Sequence, residues 1–165
     1  MPVVGPPEPL VRPLQRHDWP EVVEAYADAV QTLALPYYLP EQIDAWAHHP
    51  LNNPSFAAAL DRGFGLVGTT PDRPASVEAF ALLDPSDRLS LLYCRARSSR
   101  KGLATKLVRS MEQQARSSGH SRLHTEASQL SRPLLERLGW SVDEEEVILF
   151  AGVPFLRWRM SQTLI

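Results

Sequence analysis

Cysteine is almost missing: Cys94 stands alone among 165 residues. One thiol excludes an intrachain disulfide framework and suits a reducing cytoplasm, the expected location. No apolar run reaches the roughly 18 residues that would span a bilayer. Nor does a basic segment followed by an apolar one open the chain, as it does in a secretory signal. Neither sign of charge dominates, with 17 Lys and Arg against 19 Asp and Glu and a formal net charge of −2. That balance argues against nucleic acid as a partner, since such binding draws on many phosphate contacts. Metal-ligand spacing is lacking as well, because adjacent His48 and His49 diverge on a helix.

What is present reads as one globular domain. Hydrophobic residues make up 44% and charged residues 22%, a balance that folds. Proline is abundant, with 15 in the chain, and "MPVVGPPEP" reads as a flexible lead-in over residues 1–9 ahead of a domain over 10–165. "PLVRPL" predicts an edge strand, because Pro13 has no N–H for an inner ladder. Asp18 and Glu21 have capping-box spacing and predict a helix from about Trp19 to Leu35. A second helix, "EQIDAWAHH", is expected to stop at Pro50, with "LNNP" as a turn. "FGLVGTT", "SVEAFALL" and "RLSLLYCR" then predict an antiparallel meander. A helix follows from about Lys101 to Ser118, with Leu103, Leu107, Val108, Met111 and Ala115 on one stripe and Gly119 just past its end. "RLHTEAS" predicts a strand, "QLSRPLLERL" a helix, and the tail a hairpin in which Leu156, Trp158 and Met160 alternate with Arg157 and Arg159. The expected class is α/β: a mixed, mostly antiparallel twisted sheet of about six to seven strands with four helices.

Four cations crowd one glycine in "RSSRKGLATKL" (residues 97–107), where a strand feeds a helix. One reading is a solvated basic helix. The other is an anion seat, for which unpaired N–H groups and the helix dipole supply positive character and Gly102 lets a phosphate approach the main chain. Arg100 and Lys101 raise the local potential, and Thr105 adds a hydroxyl.

Context favours the second reading. The succession of strand, glycine loop, long helix, strand, helix ending in "LGW" and hairpin resembles the GNAT superfamily of acyl-CoA-dependent N-acyltransferases. The family loop has the form Q/R-x-x-G-x-G/A. Gly102 and Ala104 match its last two positions, and Ser99 stands where Gln or Arg is usual. "YYLPEQIDAWA" and "LHTEASQLSRPLLERLGW" are similar to flanking blocks of one GNAT branch, so the resemblance spans roughly Val11 to Met160.

The resemblance implies acetyl-CoA as cofactor. It places the main chain of Ser99, Arg100, Lys101, Gly102, Leu103, Ala104 and Thr105 on the pyrophosphate, and the strand edge at Tyr93, Cys94 and Arg95 on the pantetheine arm, where two parallel strands part. Ser128 falls where relatives often bond that arm, or else caps the helix that follows. Many relatives carry a Tyr as general acid where this chain has Leu135. Tyr93 is then the nearest phenol, as acid or as packing. Glu126 is the first candidate for general base and Glu78 the second; each is otherwise a carboxylate without a catalytic role. Tyr37 and Tyr38 fall where relatives build the acceptor wall, to shape a pocket or fill it. Asp143 to Glu146 read as exposed hairpin, or as an attractant for a cationic amine if they face the cleft.

The implied activity is transfer of an acetyl group to the primary amine of a small molecule or exposed peptide, by direct attack in a ternary complex. The alternative is a non-catalytic acyl-CoA-binding regulator on the same fold. The tail strand leaves room for a homodimer.

Overall fold

A computed structural model describes residues 9–165; apart from Pro9, the expected lead-in lies outside the described residues. Strand β1 (Leu10–Pro13) is an edge strand, antiparallel to β2 (Phe64–Thr69). Four helices lie between them: α1 (Trp19–Leu33), α2 (Pro40–Ala47), α3 (His49–Asn52) and α4 (Pro54–Arg62). Two of these, α3 and α4, replace the expected stop and turn. Pro50 and Pro54 sit in first turns, where a missing N–H is harmless, so they start helices instead of ending one. Asn53 caps α4, its Oδ1 accepting from Ser55 N at 3.0 Å.

The capping box expected at Asp18 and Glu21 does not form. Asp18 accepts from Gln15 N at 2.8 Å and takes both terminal nitrogens of Arg12, each at 2.8 Å, tying β1 to the start of α1. That ion pair holds its carboxyl below the usual range. Glu21 turns instead to Val77 N at 3.3 Å.

Strands β3 (Ala79–Leu83) and β4 (Arg88–Cys94) complete the meander. Then come α5 (Leu103–Ser117), β5 (Arg122–Ala127), α6 (Arg132–Arg137), β6 (Ser141–Phe150) and β7 (Val153–Thr163). The seven strands run in the order β1-β2-β3-β4-β5-β7-β6, and β4–β5 is the parallel pair. The described residues thus form six α-helices where four were expected.

Both faces of the sheet are covered. Leu103, Leu107, Val108 and Met111 of α5 pack with Leu123 and Met160 on one face. Val22, Tyr26 and Val30 of α1 pack with Val67, Phe80 and Leu82 on the other. The tail strand departs from the expected alternation. Trp158 and Met160 are buried, whereas Leu156 is 37% exposed and its neighbour Phe155 is buried on the opposite face, against Trp46 of α2. A strand covered on both sides needs apolar residues of both parities.

Candidate active site

The parallel pair is short. β4 and β5 are in register only at Arg88–His124 and Leu89–Thr125. One residue later Ser90 forms a bulge, since Leu91 faces Leu82 while Leu89 faces Leu83. A bulge bends and twists its strand, and beyond it β4 and β5 diverge. A cleft of about 600 Å³ crosses the sheet there. One side is walled by the start of α5 and by α6, and the other by α1, α2 and α4.

Main-chain alternation decides which groups face the gap. Arg95 N donates to Glu78 O at 2.8 Å, so Leu91, Tyr93 and Arg95 direct their polar groups to β3, and Leu92 and Cys94 direct theirs to the gap. Of the three edge residues expected to serve the pantetheine arm, Cys94 alone presents its main chain there. Leu92, missed in the sequence, does so too. The Arg95 side chain also turns away, with Nε on Val77 O at 2.7 Å.

The turn after β4 is held from beneath. Ala96 N donates to Asp28 Oδ2 at 2.9 Å. Glu78, with no exposed surface, accepts from Arg97 Nε at 2.8 Å, Arg97 Nη2 at 2.7 Å, Ser98 Oγ at 2.6 Å and Ser76 Oγ at 2.5 Å. Arg97 foremost pulls its carboxyl down to about 2. Both its oxygens are filled by these donors and it is outside the cleft lining, so Glu78, the second candidate base, braces the turn here. Ser99 N and Oγ both bond Ala96 O, at 3.2 and 2.7 Å, so Ser99 shapes the turn and its N–H is not free for a ligand.

Gly102 then takes φ +85°, and a Cβ built on it would meet nothing within 4 Å. The first α5 ladder bond in this turn is Lys106 N to Gly102 O at 3.0 Å. The N–H groups of Leu103, Ala104 and Thr105 therefore have no intrahelical acceptor. The four cations of the stretch separate by role. Arg97 serves Glu78, and Lys106 Nζ donates to Pro9 O at 2.5 Å. Arg100, at φ +60°, lines the cleft, and Lys101 stands exposed beside it.

Sequence comparison agrees with this geometry. A family model described as an acetyltransferase (GNAT) domain matches residues 34–162. The chain belongs to the GNAT acetyltransferase family. A search of curated proteins gives no match. Among solved structures, a GCN5-related N-acetyltransferase from Rhodopseudomonas palustris is similar at TM-score 0.89 and 23% identity, over 96% of this chain and 97% of that one. The PaiA N-acetyltransferase from Thermoplasma acidophilum, in complex with coenzyme A, follows at 0.74 and 14%, over 94% and 99%. YncA from Salmonella typhimurium, with acetyl-CoA, matches at 0.64 and 17%, over 96% and 95%. These likenesses fix the GNAT fold.

Within this GNAT cleft the other candidates are distributed unevenly. Glu126 lines it, and its Oε2 accepts from Arg88 Nε at 2.9 Å across the β4–β5 gap. Tyr93 also lines it, stacked on Phe80, with its hydroxyl accepting from Trp46 Nε1 at 3.1 Å. Burial pushes that phenol's pKa up, so it keeps its proton. Burial, with the charges of Glu78 and Asp28, pushes the Cys94 thiol up to about 12, which leaves it a poor nucleophile. Leu135 is buried in the core and brings no hydroxyl. Ser128 Oγ accepts from Leu130 N at 3.1 Å and Ser131 N at 3.3 Å, a capping arrangement ahead of α6, at the cleft wall.

Tyr38 lines the cleft, and its hydroxyl accepts from Gln129 N at 3.0 Å. Tyr37 is 56% exposed and outside the cleft lining. Asp143 to Glu146 lie on β6, outside that lining, and several are paired: Asp143 with Arg122 at 3.0 Å, and Glu146 with Arg157 at 2.6 Å and Arg159 at 3.1 Å. Trp46, His49 and Phe155 line the cleft but were not singled out as site residues. Trp46 lies in the segment read only as the second helix. Phe155 had the parity that the alternation assigns to solvent.

Proposed function

We propose that this protein transfers an acetyl group from acetyl-CoA to the primary amine of a small molecule or exposed peptide. The observation that carries the reading is the split sheet, with a helix start bearing free N–H groups on one side of the gap and an aromatic wall on the other. The complexes of PaiA with coenzyme A and of YncA with acetyl-CoA support the choice of cofactor. The residues present fit that group. Gly102 leaves open space where a side chain would stand, and Leu103, Ala104 and Thr105 offer N–H donors to a pyrophosphate. Arg100 and Lys101 supply charge, and Leu92 and Cys94 offer main-chain groups to the amides of the pantetheine arm.

Acetyl-CoA supplies a thioester carbonyl activated towards an amine. A C–N bond forms and a C–S bond breaks by direct attack in a ternary complex. Glu126 takes the amine proton through its second oxygen, Oε1, directly or through a water, while Arg88 holds Oε2. Tyr93 keeps its phenolic proton at the gap and donates a hydrogen bond to the departing sulfur, which takes its own proton from water. Leu135 in place of the usual phenol favours one other reading, a protein that binds acyl-CoA without turnover.

Gly102→Val tests both. A β-branched residue is strained at this positive φ, and its methyls would fill the open space. Acetyl-CoA affinity is expected to fall at least tenfold by isothermal titration while the circular dichroism spectrum persists. Unchanged affinity removes the loop from the site. A thiol-release assay over a panel of amines separates the two readings: acetyl-CoA binding with no CoA released from any amine identifies the regulator.

A further inference from the structure

The acceptor side of the cleft is aromatic, and its rings are locked before any ligand arrives. Tyr38, Trp46 and Phe155 form a triangle with centroids 5.2, 6.1 and 6.2 Å apart. Phe150 packs edge-on against Phe155 at 5.7 Å, and His49 lies 4.6 Å from Phe150. The polar edges are spent internally, Trp46 Nε1 on Tyr93 and the Tyr38 hydroxyl on Gln129 N. Gln42 Nε2 on Pro154 O, at 3.0 Å, pins α2 to the β6–β7 hairpin and fixes the wall. The Tyr38–Trp46–Phe155 part of the wall thus offers aromatic surface whose polar atoms are already bonded, and the His49 ring nitrogens beside it carry no side-chain hydrogen bond among the described residues.

The charges in the cleft point the same way. Its carboxylates are Asp84 and Glu126, each already paired with an arginine: Asp84 with Arg62 at 2.8 Å and Glu126 with Arg88 at 2.9 Å. Arg157 lines the same space and is itself paired with Glu146 at 2.6 Å. Arg62 takes both oxygens of Asp84, whereas Arg88 takes only Oε2 of Glu126. Among the described residues the lining thus leaves one carboxylate oxygen, Glu126 Oε1, for an ammonium and none for a second. Burial lowers the His49 pKa, which keeps that ring uncharged near pH 7.

We infer that the acceptor is a monoamine with a flat aromatic body, its ring on the Tyr38–Trp46–Phe155 wall and its nitrogen at Glu126, and not a polyamine or a basic peptide. The inference rests on the acetyltransferase reading and narrows it to one substrate class.

The test compares phenethylamine and tryptamine with putrescine, spermidine and a lysine-bearing peptide as acceptors, by CoA release at saturating acetyl-CoA. The aromatic monoamines are expected to show at least tenfold higher kcat/KM. Trp46→Ala should raise the KM for phenethylamine at least tenfold with acetyl-CoA affinity unchanged, and Trp46→Phe, which restores a ring, should recover most of it. If Trp46→Ala fails to fold, His49→Ala in the cleft lining is expected to raise the same KM by a few-fold. Equal or better turnover of spermidine or the peptide overturns the inference, as does a KM indifferent to these substitutions. Should acetyl-CoA bind while no amine is acetylated, the acetyltransferase reading falls. Isothermal titration of phenethylamine then decides: saturable binding weakened by Trp46→Ala upholds the aromatic site, and absence of binding sinks it.

Discussion

Glu78 has no solvent-exposed surface and still carries a charge, because Arg97, Ser98 and Ser76 surround it with donors. Its carboxyl falls from the ordinary 4.5 to about 2. A folded-state pKa below the unfolded one stabilises the fold above the ordinary value, and that stability is lost as pH falls from about 4.5 towards 2. With a discount for the half-exposed Arg97, the contribution is about 2 kcal/mol at neutral pH. Glu78→Gln is expected to lower stability by about that amount at pH 7 and by much less at pH 3, measured by urea unfolding at each pH. It should also weaken acetyl-CoA binding, since the turn before Gly102 loses its anchor. Equal losses at both pH values would show that packing, not charge, is at stake. The sequence showed Glu78 as a strand carboxylate and a candidate base. Nothing local announces that Arg97 and Ser98, about twenty residues on, fold back to claim both its oxygens.

At the scale of elements, legibility follows how local the cause is. The long helix at Leu103–Ser117, its apolar stripe and Gly119 at φ +88° were readable because period and cap lie within a few residues of each other. The meander was readable from its turns. Helix α4 stands where a turn is expected although its signal is local: Asn53 caps it and Pro54 opens it, and turns use the same residues. The parity of Phe155 was not readable, because it depends on α2 covering the second face of β7. The Asn53 cap can be weighed directly. Asn53→Ala removes the 3.0 Å bond to Ser55 N and is expected to cost about 1 kcal/mol in urea unfolding, with Asn53→Asp nearly neutral. A loss below about 0.3 kcal/mol would mean that packing of Phe56 and Leu60 alone sets the start of α4.

The whole molecule is two half-layers meeting at one gap. The α1–α4 layer supplies aromatic rings, the α5–α6 side supplies main-chain donors, and the parting of β4 from β5 joins them. Arg88 on β4 and Glu126 on β5 reach across that parting, so the candidate base is positioned by the same feature that opens the cleft. That placement predicts a particular pH signature. An aliphatic amine has a pKa near that of lysine, about 10.4, so at pH 7 nearly all of it is protonated and a base is needed to release the attacking lone pair. As pH rises the neutral fraction grows and the base matters less. Glu126→Gln is nearly isosteric and is expected to lower kcat/KM by about 10²-fold at pH 7, with the deficit narrowing steadily towards pH 9.5. Because the Gln side chain keeps an oxygen for Arg88, acetyl-CoA affinity by titration should not change. A deficit that is constant from pH 6.5 to 9.5 would assign Glu126 to positioning Arg88, and an unaltered rate would remove it from proton transfer and leave the amine to lose its proton to bulk water.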